Sequence, residues 1–533
     1  MSLYLAINTI LSSIITLFLA NVWSLAFTHY IQRKEYRLDR LKDFWTYENG
    51  KQLLLSKTNI FTAILLISLT LINNFQLPIL LGISLIAIYK ILNQGLFRPK
   101  FTSKIKLILG TYNLIILASL FLFDNYQELI LICSIPLILG ITTLATIITN
   151  KLKQKAIQQA AKKINNHREL MTIGITGSFG KSSTKEFVAS LVSQKGLTLK
   201  TPENINTEIG IANLIKQNLS QKHKFFVCEM GAYQKTEIAL IAKMVKPKIG
   251  IITQVAPQHL SLFGSIEAIK KAKSELVNNL QPGGIAILNY DNEFTYQIGQ
   301  ELKQQKITTL YYSNNLDLKP EQKSELSCFL LEKKILPELK GQILKINLYG
   351  QELELETQIY APHLTENLLP AILAAFHCDL TIPELKRIIP TLSLADNQIR
   401  INKKPNLPLT ISDTYNMNLS GSMAAIKLAQ TQNHGRIYLV TMGIPELGEA
   451  SNSEHQKLAE FLLANRIHTF VLNKNTYTAF TNAAISANLN PQEYFTYVEK
   501  LKELNTIILK KVTDSDTIVL LNRVPDFLKN ILL

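Results

Sequence analysis

The stretch Gly174-Ile-Thr-Gly-Ser-Phe-Gly-Lys-Ser-Ser-Thr-Lys185 decides how the rest of the chain is interpreted. Residues 171–175 before it are apolar and predict a strand, and residues 186–194 after it predict a helix. A strand, a glycine-rich turn and a helix in this order are the setting of a phosphate-binding loop. Glycines let backbone N–H groups approach a polyphosphate closely, and the helix N-terminus attracts negative charge.

Side chains of the loop add to this expected anion site. Lys181 is expected to reach the β- and γ-phosphates, and the Ser182 hydroxyl is expected to bind Mg²⁺. The spacing departs from the usual GxxxxGK(S/T) pattern because Ile175 stands where glycine is expected, so a plain glycine turn before a helix is the alternative. The loop residues predicted to bind nucleotide are Gly174, Thr176, Gly177, Ser178, Gly180, Lys181, Ser182 and Ser183.

Composition describes a large, basic and apolar chain. Its 533 residues are enough for about three or four domains. Hydrophobic residues make up 47% and charged ones 18%, which favours a membrane protein. The formal net charge of +16 admits anionic lipid, nucleic acid or phosphorylated partners, but no aromatic–basic interleaving supports nucleic acid. The four scattered cysteines suit a reducing cytosol and indicate neither a disulfide framework nor a zinc site.

The N-terminal region is predicted to be a transmembrane helical domain of about five spans over residues 1–150. The second and third apolar stretches are short for a bilayer and could form a helical hairpin. A signal peptide is disfavoured because further apolar stretches follow the first, and a soluble helical bundle is the alternative. The five apolar stretches are 3–27, 59–74, 76–92, 105–123 and 128–149.

Basic residues predict the orientation of these spans. They follow the first, third and fifth stretches, whereas the connections Asn73–Gln76 and Asp124–Glu128 carry none. The positive-inside rule therefore predicts an N-terminus outside and every residue after 150 in the cytoplasm. Residues 151–170 are basic and predict a solvated linker helix, with contact to anionic headgroups as a smaller addition. No charge lies mid-span, so an ion pathway is not indicated.

From residue 171 onward the pattern predicts an α/β fold with a doubly wound parallel sheet. Continuous apolar runs, typical of buried parallel strands, alternate with helical segments. Ligands of such sheets lie at the carboxyl ends of the strands, where Glu229 and His259 are expected, and Lys273 falls in a predicted helix over 265–280. Taken alone, His259 is more typical of a structural histidine and Lys273 of a solvated charge. The four predicted strands are 171–175, 224–228, 248–253 and 284–288.

Several short motifs in this region resemble those of the Mur ligases, in particular the branch that adds D-alanyl-D-alanine. The loop at 174–185 resembles the GxTGSxGKSSTK variant of that family. Four further stretches match in order, namely Glu229-Met-Gly-Ala232 (EMGA), His259-Leu-Ser-Leu-Phe-Gly-Ser265 (HLxxFGS), Ala272-Lys-Ser-Glu275 (AKxE) and Asn289-Tyr-Asp-Asn292 (NxDD). The likeness covers residues 171–533.

The resemblance implies an ATP-dependent ligase that activates a carboxylate as an acyl phosphate and joins it to an amine. It implies that Ser182, Glu229, His259 and Lys273 hold Mg²⁺, with Lys273 carbamylated by CO₂. Carbamylation is chemically sensible because it converts a cation into an anion that can ligate a metal ion. It implies that the catalytic residues are Lys181, Lys273 and His259.

Two further segments resemble substrate-binding motifs of the family, each with a departure. Residues 201–207 resemble TxGNxN, with Glu203 in place of glycine. Residues 363–375 resemble the HNxxNxxAA helix, with Leu364 in place of the first asparagine. The resemblance implies that Asn289 lies near adenine and that Asn367 contributes to the nucleotide pocket.

The remaining motifs define a smaller Rossmann-like C-terminal domain at 394–533, after a central ATP-binding domain at 171–393. Residues 411–418 resemble the DSYNANP signature, which implies that Asp413 and Asn416 close over the nucleotide. Gln398 stands where the family has a nucleotide-binding arginine, and Arg400 is the expected substitute. Leu419 replaces a usual proline. Residues 442–449 resemble GDMxELGE, and closure of this domain would exclude water from the acyl phosphate.

The sequence therefore predicts a ligase at the inner membrane, acting on a UDP- or lipid-linked cell-wall precursor and an amino acid or a dipeptide like D-alanyl-D-alanine. The family's UDP-holding domain has no counterpart here, and apolar stretches stand in its place. Alternatives are a ligase for a polymer of the poly-γ-glutamate type, or a non-catalytic nucleotide-binding scaffold. A transport ATPase is disfavoured because no polar residues line the spans.

Cysteine labelling tests the predicted orientation. In a Cys133→Ser background, we expect Asn74→Cys to react with a membrane-impermeant maleimide in intact cells, because its connection lacks the basic residues that are retained inside. Gln154→Cys is expected to react only after permeabilisation. Labelling of Gln154→Cys in intact cells would contradict a cytoplasmic nucleotide site.

Overall fold

The computed structural model divides into two compact units, Met1–Lys155 and Ala156–Leu533. It describes the following residues: 2–33, 80–85, 87–88, 99–123, 126–203, 205–232, 234–257, 263–336, 341–359, 364–392, 400–403, 407–413, 419–432, 435–444, 447, 451–499, 503–504, 507–508 and 511–521.

Three helices are long and apolar enough to cross a membrane: α1 (Ser2–Arg33), α2 (Ser103–Leu122) and α3 (Gln127–Asn165). The first two lie in the first unit, as does α3 up to Lys155. They correspond to the first, fourth and fifth predicted spans. The stretch 59–74 lies outside the described residues, and 76–92 is described only in part, as helix at 80–85 and 87–88.

These helices bury a common apolar face and leave other apolar side chains exposed. The Tyr112 hydroxyl of α2 donates to the Ala20 carbonyl of α1 at 3.1 Å, and Leu19 and Leu131 are fully buried. On the outside of α2, Phe121 is 88% exposed and Leu114 is 70% exposed. A helix that is apolar all round is typical of a lipid-facing span, whereas a water-soluble bundle exposes polar side chains.

The second unit is built on a large sheet with the strand order β2-β3-β1-β4-β5-β6-β7-β8-β9. Strands β1 to β7 pair in parallel, and β7, β8 and β9 pair antiparallel. The strands are β1 (Met171–Thr176), β2 (Thr198–Lys200), β3 (Phe225–Glu229), β4 (Ile249–Ile252), β5 (Ile285–Asn289), β6 (Thr308–Ser313), β7 (Cys328–Ile335), β8 (Gln342–Leu348) and β9 (Gln351–Thr357).

The helices of this domain cover the sheet: α4 (Lys181–Val192), α5 (Glu208–Asn218), α6 (Glu237–Val245), α7 (Ile266–Ser274), α8 (Glu293–Gln304), α9 (Pro320–Lys323), α10 (Thr365–Phe376) and α11 (Ile382–Ile388). The central strands are buried on both faces, as the continuous apolar runs predicted. By contrast, β8 alternates buried and half-buried residues, as an antiparallel strand with one face in the core does.

Two helix boundaries differ from the sequence prediction. Helix α4 begins at Lys181, five residues before the predicted 186, because Gly180 in the left-handed conformation turns the chain directly into the helix. Helix α7 ends at Ser274 and not at 280, and a 3₁₀ turn, Val277–Asn279, follows. This tighter turn lets the adjacent side chains of Leu276 and Val277 both be buried.

A second parallel sheet follows, with the order β10-β11-β15-β12-β13-β14 and only β10 antiparallel to its neighbour. The predicted domain boundary at 394 lies outside the described residues. The elements are β10 (Arg400–Asn402), β11 (Leu409–Asp413), α12 (Leu419–Gln432), β12 (Ile437–Thr441), α13 (Ser451–Ala464), β13 (His468–Val471), α14 (Lys474–Ser486), α15 (Pro491–Tyr494), β14 (Phe495–Tyr497) and β15 (Thr517–Leu521).

The segment expected to be a solvated linker helix is partly packed against the central domain. Ala160 and Ile164 are buried in the same apolar cluster as residues of α5. The Lys163 ammonium donates to the Lys216 carbonyl at 2.9 Å. Lys216 lies in the last turn of α5. The last two turns of α3 therefore belong to the core of the second unit, although lysines on the same helix remain exposed.

Candidate active site

The glycine-rich loop joins β1 to α4 and requires glycine at two positions. Gly177 has a φ of 147° and Gly180 a φ of 81°. A Cβ atom at Gly177 would lie 2.0 Å from Thr253 Oγ1, and one at Gly180 would lie 2.2 Å from Asn367 Oδ1. Backbone conformation and close approach therefore both exclude a side chain at these positions.

The segment after β4 supports this loop from one side. The Thr253 hydroxyl donates to the Phe179 carbonyl at 2.5 Å, and Ser178 N–H donates to the Gln254 carbonyl at 2.7 Å. Ser178 Oγ also donates to the Ala256 carbonyl at 3.0 Å. These bonds fix the loop at the carboxyl edge of the sheet, between two adjacent strands.

Lys181 lies across the loop that precedes it. Its ammonium donates to the Gly177 carbonyl at 2.8 Å and to the Ser178 carbonyl at 2.9 Å. Burial lowers the pKa of Lys181, and the Glu229 carboxylate opposes this shift. The Lys181 ammonium thus lies against the loop backbone, next to the expected phosphate site.

A buried acidic group faces the start of α4. Glu229, the last residue of β3, is 5% exposed, and its Oε2 accepts from the Ser182 hydroxyl at 2.9 Å. The Lys185 ammonium, fully buried, lies 3.4 Å from the same oxygen. Sequence reasoning missed Lys185, although its position one helical turn after Lys181 would have placed both lysines on one face of α4.

The donors present here suit a magnesium ion. A carboxylate and a hydroxyl are hard oxygen ligands, and Mg²⁺ usually takes one or two protein groups besides phosphate oxygens and water. The described residues contain no cluster of three or more His, Cys, Asp or Glu side chains that could form a complete metal cage. The predicted ligand His259 lies outside the described residues, so its role remains a prediction.

Lys273 of α7 lies close to the same group of charges. It is 4% exposed, and burial lowers its pKa to about 7, with the Lys181 charge acting in the same direction. The carboxylates of Glu237, Glu229 and Glu275 oppose this shift. A lysine with this pKa has a substantial neutral fraction near neutral pH, and a neutral amine is a nucleophile.

Thr201 and Asn206, from the segment that resembles TxGNxN, contact the end of β3 and the residues directly after it. Thr201 Oγ1 accepts from the Glu229 N–H at 3.0 Å, and the Asn206 carbonyl accepts from the Gly231 N–H at 2.9 Å. Glu203, the departure from the family pattern, is exposed at the surface of this segment.

A second polar group lies at the end of β5. The Asn289 amide donates to Glu366 Oε1 at 2.6 Å, and Asn289 Oδ1 accepts from the Asp291 N–H at 2.9 Å. Burial and the Asp291 carboxylate together raise the pKa of Glu366 to about 7, against the lowering effect of the Asn289 hydrogen bond. Asn367, the next residue of α10, faces Gly180 of the loop.

The second sheet contributes the remaining predicted residues. Asp413 is buried at the end of β11, and Arg400 begins the neighbouring strand β10, opposite Ser412. Asn416 and Gln398 lie outside the described residues. Ser182, Glu229 and Asn367 lie at the phosphate-binding loop, with Lys273 close enough for Lys181 to lower its pKa, whereas Asn289 lies at the end of β5 and Asp413 and Arg400 lie on the second sheet.

The fold and the site together define a class of enzyme: an α/β protein with a phosphate-binding loop and two successive parallel-sheet domains. Residues 175–375 match the model of the Mur ligase middle domain. A UDP-N-acetylmuramoyl-tripeptide–D-alanyl-D-alanine ligase of Buchnera aphidicola subsp. Acyrthosiphon pisum is 31% identical over 370 residues, which cover 67% of this chain and 75% of that relative. The enzyme of the same name from Escherichia coli K12 is 27% identical over 297 residues, covering 54% and 61% of the two chains.

Solved structures agree with this relationship. A crystal structure of MurF from Acinetobacter baumannii matches with a TM-score of 0.60 and 22% identity, over 69% of this chain and 77% of that one. A MurF ligase from Thermotoga maritima in complex with ADP matches with a TM-score of 0.56 and 19% identity, over 69% and 80%.

The chain belongs to the Mur ligase family. It is an ATP-dependent ligase that forms carbon–nitrogen bonds, as the resemblance of its motifs implied. The scaffold and transport alternatives are therefore not supported. The individual roles of its site residues stay predictions, as do its domain boundaries.

The substitution Gly180→Ala tests whether the loop conformation is needed for nucleotide binding. The new Cβ would be strained at this φ and would displace Asn367, so we expect at least about tenfold weaker binding of a fluorescent ADP analogue. Gly350→Ala is the matched control, because Gly350 has a φ of 84° but nothing within 4 Å of its added Cβ. Equal losses in the two variants would contradict a specific role for Gly180.

Proposed function

We propose that this chain uses ATP to join D-alanyl-D-alanine, or a closely similar dipeptide, to the peptide carboxylate of a membrane-presented muramoyl precursor. The observation that carries the proposal is the convergence of Lys181, Ser182, Glu229 and Lys273 at one loop. The names of the relatives give the dipeptide and the muramoyl peptide. Three apolar helices support a membrane location.

In this proposal the loop binds the polyphosphate of ATP. Backbone N–H groups at the start of α4 and the Lys181 ammonium stabilise the charge on the transferring phosphoryl group. The substrate carboxylate attacks the γ-phosphorus in line, and ADP leaves. The nucleotide-binding residues are Gly174, Thr176, Gly177, Ser178, Gly180, Lys181, Ser182, Ser183, Asn289 and Asn367, joined on domain closure by Arg400, Asp413 and Asn416.

Ser182, Glu229, His259 and a carbamylated Lys273 would hold Mg²⁺, which neutralises phosphate charge when bound. Lys185 forms an ion pair with Glu229, its ammonium 3.4 Å from Oε2, and orients that carboxylate toward Ser182. Lys181 leaves the carbonyls of Gly177 and Ser178 to pair with phosphate oxygens. The second domain presents the amine, which attacks the carbonyl carbon of the acyl phosphate. The bond from that carbon to the phosphate oxygen breaks, inorganic phosphate leaves, and the nitrogen loses a proton as the amide forms. Closure of the domain excludes water from the acyl phosphate.

We propose that the acceptor is lipid-linked and that the catalytic unit works at the cytoplasmic face of the inner membrane. The support is that the likeness to these ligases covers 67–69% of the chain, while its N-terminal part carries helices with exposed apolar side chains. A substrate held by a lipid tail lies at the membrane surface, so an enzyme tethered there meets it at high effective concentration. No nucleic acid partner is proposed.

Carbamylation of Lys273 is testable by NMR with ¹³C-bicarbonate. We expect a carbamate resonance that grows between pH 6 and pH 8, because only the neutral amine reacts with CO₂ and the pKa of Lys273 is lowered to about 7. Lys273→Arg is expected to lack the resonance, and Lys271→Arg, on the same helix but exposed, is expected to retain it. If Lys273→Arg gave the same carbamate resonance as the wild type, Lys273 would not be the carbamylated residue.

The reaction itself is tested with protein in lipid nanodiscs, ATP, D-alanyl-D-alanine and either a lipid-linked or a UDP-linked muramoyl peptide. We expect ADP release that requires both the dipeptide and the lipid-linked acceptor. Lys181→Ala is expected to lower the rate at least about a hundredfold, because a preorganised charge at the transferring phosphoryl group is lost.

Lys195→Ala is the control for that experiment, since Lys195 forms a partly exposed ion pair with Glu384 at 2.9 Å, and we expect its rate to be unchanged. Full activity of Lys181→Ala would refute the site. A preference for the UDP-linked acceptor would refute the lipid-linked substrate but leave the ligase assignment intact.

A further inference from the structure

Glu366 is an acidic residue that the phosphate chemistry does not use. It stands in the first turn of α10, one residue before Asn367, whose side chain faces Gly180 of the loop. Helix α10 therefore connects the phosphate-binding loop to the polar group at the end of β5. Glu366 lies on this connection and is half-buried.

The strand order of the sheet sets the distance between the phosphate-binding loop and the polar group at the end of β5. The strand order β1-β4-β5 separates the loop after β1 from Asn289, at the end of β5, by two strand spacings. Adjacent strands lie about 4.8 Å apart, so the separation is roughly 10 Å. This is about the distance from the β-phosphate of a nucleotide to its base, so a nucleotide whose phosphates occupy the loop can place its base beside Asn289 and Glu366.

The hydrogen bonds around Glu366 leave one acceptor for a ligand. Asn289 is engaged at both ends of its amide: its oxygen accepts from Asp291 N–H at 2.9 Å, and its nitrogen donates to Glu366 Oε1 at 2.6 Å. Within the described part of the chain, Glu366 Oε2 has no hydrogen-bond donor. Glu366 Oε1 is therefore held by Asn289, and Oε2 is available to accept a hydrogen bond from a ligand.

The ionised form of Glu366 makes this oxygen a strong acceptor. Among the described residues, Asp291 raises the pKa of Glu366, and Glu366 in turn raises the pKa of Tyr312 in β6. Asp291 is satisfied by the Ser313 hydroxyl at 2.5 Å and the Asn314 N–H at 2.7 Å. Neither neighbour supplies a positive charge to Glu366, so above its pKa of about 7 the carboxylate would gain a charge-assisted hydrogen bond from a ligand N–H.

We propose that Glu366 reads the exocyclic amino group of the nucleotide's base and so selects adenine over 6-oxopurines. Adenine carries an amino donor at position 6, whereas hypoxanthine carries a carbonyl oxygen there. The donor pairs with Glu366 Oε2, and the oxygen is repelled by it. This inference rests on the proposed nucleotide site and deepens it by assigning the residue that sets base selectivity.

The experiment compares equilibrium binding of ADP and IDP, and the KM values for ATP and ITP, in the full-length protein at about pH 8, above the pKa of about 7 of Glu366. We expect the wild type to prefer the adenine nucleotide by about tenfold to a hundredfold, the range of a hydrogen bond to a charged group. In Glu366→Gln the amide can either accept from the amino group or donate to the oxygen, so the preference is expected to fall to about threefold or less. Glu352→Gln, which breaks only the exposed pair with Lys345, is expected to retain the wild-type ratio.

Three results would overturn the inference or its basis, and they are distinguishable. A wild type that binds ADP and IDP equally refutes selection by Glu366 whether or not the variant folds. If Glu366→Gln prefers the adenine nucleotide as strongly as the wild type does, another residue sets the base selectivity. A wild type that binds neither nucleotide removes the proposed nucleotide site itself.

Discussion

The burial of the Glu229 carboxylate beside the phosphate-binding loop is the constraint on which the site depends. A carboxylate taken out of water is costly unless cations and hydrogen-bond donors compensate it. Here Ser182 donates to it at 2.9 Å, and the buried Lys185 ammonium lies 3.4 Å away. The Glu229 carboxylate opposes the lowering of the pKa values of both Lys181 and Lys273, and the Lys181 charge lowers the pKa of Lys273. The result is a balanced charge cluster that a polyphosphate and a metal ion can enter.

The scaffold makes this cluster possible by bringing strand ends together. The chain segments that follow β1, β3 and β4 lie side by side because these strands are parallel neighbours. Helix α10 then covers the same edge, with Asn367 against Gly180 and Glu366 against Asn289. One helix thus connects the place expected for phosphates with the place expected for the base, so its position can couple the two ends of a nucleotide.

Sequence motifs predict several residues of this site, and there are physical reasons why they do not predict the others. The loop and Glu229 lie in or directly after apolar strands, so their places could be predicted, whereas Lys273 was identified only through the resemblance of its motif. Helical spacing places Lys185 on the same face of α4 as Lys181 but does not show that it meets Glu229. Nothing local distinguishes Glu366 from a solvated helix charge, because its partner Asn289 is distant in sequence. The predicted start of α4, residue 186, is wrong because Gly180, in the left-handed conformation, turns the chain into the helix already at Lys181.

The sequence alone determined the class of fold, the phosphate-binding loop and the apolar N-terminal helices, because each depends on residues that are close along the chain. Hydrophobic periodicity and glycine conformation are local properties. Only the tertiary structure decided which charges meet. Glu229 and Ser182 are 47 residues apart in sequence, and Asn289 and Glu366 are 77 apart. Their hydrogen bonds exist because strand order and helix packing bring distant segments to one edge of the sheet.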